Sequence, residues 1–182
     1  MRVRNSSIYA THWIMPLVEF ASRGVNTSAT MLDVIDTTTT LRGWAMHGKM
    51  VRESGRFKQW TDTWIPKYPK TVEYVVRLYL PSDMTRVPST AWFKTPLGIT
   101  RLWPNGIPLE SDEDRIVSLA AHEFRHIWQY KRCRAERRAG KKSKGRGEYD
   151  AEKFANRRLN EWRIATGREP VLAVKQPNPF AS

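Results

Sequence analysis

Between residues 111 and 138 the apolar positions recur at helical spacing. At about 100° per residue, Ile116, Val117, Leu119, Ala120, Phe124, Ile127, Trp128 and Tyr130 cover a wide arc, with Ser118, Arg125 and Gln129 opposite. Ser111 is the expected N-cap, and Asp112, Glu113 and Asp114 follow in the first turn, where negative charge meets the positive end of the helix dipole. A second helix is expected over 148–166, with a stripe of Ala151, Phe154, Ala155, Leu159 and Trp162 and with Gly167 just past its end. Glu148 falls within that stripe, Glu152 on its edge and Asp150 well outside it.

Upstream the pattern changes to one suited to strands. The stretch "TVEYVVRLYL" (71–80) alternates and is rich in β-formers, "PLGITRLW" (96–103) is a second strand, and residues 30–46 predict one or two more. Residues 13–23 read as a helix despite Pro16. Strands followed by two helices predict an α+β fold, with a small antiparallel or mixed sheet packed on the 111–138 helix. The expectation is one domain over 1–182: a mainly sheet-forming part (1–110), the two helices, a loop over 139–147 between them, and an irregular tail from 167.

Composition narrows the function classes. With 40% hydrophobic residues and eight tryptophans, the chain has the apolar surface of a packed globule. The first twenty residues hold no signal-peptide pattern, and no run nears the roughly twenty apolar residues of a membrane span. Cys133, the single cysteine, excludes an internal disulfide and suits a reducing compartment. A soluble, cytoplasmic protein is therefore expected, in the host cytoplasm or a virion if the source is viral. The net charge of +13 is unevenly spread: residues 131–146 carry nine Lys or Arg against one Glu and supply eight of the thirteen. Such a run suits nonspecific contact with nucleic acid or an acidic protein, with Lys141, Lys142, Lys144 and Arg146 as the contacting residues.

The first helix also carries His122-Glu123-Phe124-Arg125-His126. Histidines four apart on a helix stand one above the other, about 5–6 Å apart at Cβ, so both rings can reach one ion. Glu123, rotated about 100° from His122, misses the ion yet can address a water beside it, as a general base requires. Zinc needs a third protein ligand. The four histidines are His12, His47, His122 and His126, so none follows the motif, and beyond Glu136 the next carboxylates are Glu148, Asp150 and Glu152. Facing direction favours Glu148 over the other two.

His122-Glu123-x-x-His126 followed by Glu148-Tyr-Asp-Ala-Glu152 resembles the glutamate-ligand zincin metallopeptidases, and is similar to compact peptidases of phages and prokaryotes. The resemblance spans residues 111–162. It implies a protein or peptide substrate, Zn²⁺ held by His122, His126 and Glu148, and Glu123 as the base. It also implies a carboxylate beneath a ligand histidine, here Glu152 where the family has Asp, and a transition-state donor, for which Tyr149 is the first candidate and Tyr130 the second. Zincins further imply an edge strand that aligns extended substrate, assigned to 96–103. The alternative is a basic nucleic-acid-associated accessory or viral structural protein in which the motif is catalytically idle.

Overall fold

The computed structural model describes residues 1–36, 45–49, 69, 71–84, 93–94, 100–101, 105–106, 108–141, 147–171 and 174–175. The main sheet contains β1 (Arg2–Ser6), β2 (Thr30–Ile35), β3 (Ala45–Lys49) and β4 (Tyr74–Tyr79), in the order β1-β2-β4-β3. β1, β2 and β4 run parallel, and β3 lies antiparallel on β4. Of the two arrangements expected, the parallel core overturns the antiparallel one, while the antiparallel β3 makes the sheet mixed. The reason for the parallel core is visible in β2 and β4, which are buried on both faces over five of their six residues. Such double burial belongs to parallel strands, whose crossover helices cover a face of the sheet.

α1 (Thr11–Ala21) is that crossover, linking β1 to β2. It forms over the expected stretch with Pro16 inside, anchored by buried Ile14, Leu17, Val18, Phe20 and Ala21. The stretch 30–46 yields two strand segments, β2 and the start of β3. Apolar residues of β2 and β4, including Leu32, Val34, Val76 and Leu78, share one core with α1 and with the two helices that follow the sheet. Between them Asp33, fully buried, takes Arg4 of β1 at 2.7 Å and Arg77 of β4 at 2.8 Å. These residues pair in register across the three parallel strands, so a charge ladder fixes strand alignment where a one-residue slip would separate the ions.

α2 (Asp112–Arg138) packs on α1, β3, β4 and α3 (Glu148–Ala165). Ser111 caps it, its side chain accepting from the Asp114 backbone N–H at 3.2 Å. Asp114 does more than complement the dipole. Its carboxylate is fully buried and receives Arg163 from the end of α3, with Arg168 at 2.8 Å. This pair ties the start of α2 to the end of α3, so the helices run antiparallel and the start of α3 meets the middle of α2.

Two smaller ladders complete the described strands: β5 (Phe93–Lys94) with β6 (Thr100–Arg101), and β7 (Asn105–Gly106) with β8 (Val174–Lys175). The 96–103 strand is thus described only at Thr100–Arg101, outside the main sheet. The tail, expected to be irregular, returns to pair with β7. Among the described residues no helix is long and apolar enough to cross a membrane.

Candidate metal centre

His122 and His126 stand one turn apart on α2, with ring centroids 4.9 Å apart. Their Nε2 atoms approach to 3.2 Å, and Glu148 Oε2 lies 3.1 Å from that of His122 and 2.9 Å from that of His126. The three residues form a group that can hold a metal ion. Four ligands set tetrahedrally about 2.0–2.1 Å from zinc stand about 3.3 Å from one another, so this triangle fits such an ion with small adjustment. It is also open on one side: the histidine side chains are 12% and 7% exposed, but that of Glu148 is 41%.

Each imidazole is braced at its other nitrogen. Glu152 Oε2 lies 3.3 Å from Nδ1 of His122, where the resemblance places an orienting carboxylate. Gln129 Oε1 lies 2.9 Å from Nδ1 of His126. Both rings therefore turn Nε2 toward Glu148, and three electron-rich atoms meet where a cation relieves their repulsion. Without a metal that cation is a proton on His122. Burial alone would depress its pKa, but hydrogen bonds to Glu148 and Glu152, with the charges of Glu123 and Glu152, outweigh burial and raise it to about 10. Burial likewise opposes ionisation of Glu148, yet the hydrogen bonds to both histidines hold its carboxyl well below the usual range.

The other expected residues fall variously. Glu123 is buried beside this centre, its charge acting on His122 and on Tyr130. Asp150 is not a member of the ligand group; Arg125 binds it through two bonds of 2.7 and 3.0 Å. Tyr149 is 55% exposed on α3. Tyr130 continues the His122, His126 row of α2, and burial, then the charges of Glu123 and Glu148, raise its hydroxyl pKa. Lys141 is exposed just after α2, and Lys142, Lys144 and Arg146 lie outside the described residues. His12 is exposed on α1.

Arg125 and Gln129, on the face of α2 read from the sequence as opposite the core, are part-buried and buried, because the polar start of α3 covers them. Gln129 was detectable: it follows His126 by three residues, within side-chain reach on a helix. Compared with protein-family models, curated proteins and solved structures, the chain finds no match.

Proposed function

We propose that this chain is a zinc-dependent peptidase. One observation carries the reading: two histidines and a glutamate converge through Nε2, Nε2 and Oε2 within 3.2 Å, on a helix that places Glu123 directly after the first histidine. Two imidazoles and one carboxylate suit zinc, and with three protein ligands a fourth position stays open, as catalytic rather than structural sites require. Zinc, when bound, polarises the scissile carbonyl and acidifies water. Glu123 takes the proton of the attacking water and delivers it to the leaving amine as the C–N bond breaks.

Tyr130 is our choice of donor toward the developing oxyanion, in place of Tyr149. It shares the helical row of both histidines, and from there a hydroxyl can donate to charge developing on the carbonyl oxygen. For substrate alignment β3 replaces 96–103. It ends the main ladder among the described residues, runs antiparallel to β4 and lies against α2, so an extended peptide can pair with its backbone.

The second reading, a basic accessory protein with an idle motif, draws on exposed Arg137, Arg138 and Lys141 at the end of α2. Elemental mass spectrometry on untagged protein separates the two. About one zinc per chain, lost in His126→Ala and Glu148→Ala, supports the peptidase; a metal-free wild type after zinc incubation refutes it.

A further inference from the structure

Gln129 is buried at 8% exposure and spans the two helices that carry the ligands. Its Nε2 donates to Asp150 Oδ2 at 3.1 Å and to the carbonyl oxygen of Gly147 at 3.3 Å. A carboxylate and a carbonyl only accept, so the amide nitrogen must face them, and Oε1 must face His126 Nδ1 at 2.9 Å. An amide oxygen cannot donate. Nδ1 of His126 therefore carries a hydrogen, which leaves Nε2, 2.9 Å from Glu148 Oε2, as the ring atom available to a metal.

The amide is itself held. Arg125 binds both oxygens of Asp150, and its guanidinium lies over the Trp128 ring at 3.8 Å from the centroid. Asp150 thus cannot turn away without breaking a two-bond charged contact. The second acceptor, Gly147, immediately precedes the ligand Glu148 at the start of α3. One neutral side chain consequently sets the tautomer of a ligand on α2 and the position of a ligand on α3. A glutamate here would give the same acceptor to His126 but lose both donated bonds and set a third carboxylate against Asp150 and Glu148.

We propose that Gln129, braced by the Arg125–Asp150 pair, is a positioning residue that selects Nε2 of His126 as the metal-binding atom and locks Glu148 into the same frame. The assignment rests on the metallopeptidase reading. It also accounts for Asp150, which stands two residues from a ligand yet belongs to the brace.

The test compares wild type with Gln129→Leu, which keeps the volume and removes every hydrogen bond. Zinc affinity is read by competition with a chromophoric chelator, and the fold by circular dichroism of the metal-free proteins. Loss of a residue that orients a ligand is expected to weaken zinc binding about 10–100-fold. Long-range ¹H–¹⁵N spectra of the zinc-loaded wild type should show His126 bonded to the metal through Nε2, with a protected Nδ1 proton giving a nuclear Overhauser contact to Gln129. A folded Gln129→Leu protein with zinc affinity within twofold of wild type overturns the proposal. So does a wild type whose His126 binds zinc through Nδ1, and that measurement decides the matter if the leucine variant does not fold. A wild type that binds no zinc overturns the metallopeptidase reading and this assignment together, whereas normal zinc binding with an indifferent Gln129→Leu overturns this assignment alone.

Discussion

Lowering the pH from 8.5 to 6.5 should weaken zinc binding about a hundredfold, one decade per pH unit. The magnitude comes from the proton that His122 holds when no metal is bound. Burial works against that proton, but the hydrogen bonds to Glu148 and Glu152 and the nearby charge of Glu123 keep it to about pH 10. An ordinary histidine, near pKa 6.5, would be free of its proton above about pH 7.5, and affinity would then be flat. Here one proton must leave for every ion bound throughout the range, so the logarithm of the dissociation constant changes with unit slope. At pH 7 the competition costs about three decades of affinity, the gap between the pH and a pKa of about 10. Glu148 adds nothing to the slope, since its carboxyl is held below the usual range and is already ionised. Chelator competition at three pH values, with calorimetry in two buffers of different ionisation enthalpy, measures both slope and proton release. A dissociation constant that is flat above pH 7.5, or release of far less than one proton at pH 8, would refute the reasoning.

The same proton makes the metal-free fold sensitive to alkali. Because the folded pKa of His122 is raised, its stabilisation is complete below about pH 6.5 and is lost as the pH climbs toward about 10, so the metal-free melting temperature should fall between pH 7 and 9.5. Glu123→Gln should retain zinc and lose at least about 10²-fold in turnover on an unfolded protein substrate; undiminished proteolysis would remove Glu123 from its role. Asp114→Ala removes the buried counter-charge of Arg163, 1% exposed, leaving it the exposed Glu110 at 3.4 Å and the Pro108 carbonyl, and should cost about 3 kcal/mol in urea denaturation, against under about 1 kcal/mol if the pair is dispensable. Changing Lys141, Lys142 and Lys144 to glutamine should flatten the salt dependence of random-DNA binding by a slope of about 2–3, and an unchanged slope would clear the loop of any part in it.

The two long helices were legible in the sequence because their signals are local. An apolar period of 3.6, the Ser111 cap and the glycine after the second helix each act within a few residues, and α2 and α3 match the expected spans to within a residue at each end. The pairing of His122 with His126 was likewise determined, since helical rise alone stacks residues four apart. Glu148 was a weaker inference: its facing direction was readable, but its place beside His126 depends on how α3 slides along α2. That register is set by Asp114 with Arg163 at one end and by Gln129 with Gly147 and Asp150 at the other, partners 18 to 49 residues apart. The parallel core of the sheet was beyond local reading for the same reason. Whether two strands run parallel depends on what connects them and what covers them, and only the folded chain shows α1 as a crossover and Asp33 between Arg4 and Arg77. The sequence thus determined the two long helices and two of the three residues in the candidate ligand group. Tertiary structure decided the rest, because a metal centre needs atoms placed within tenths of an ångström, and that precision comes from buried polar contacts between elements.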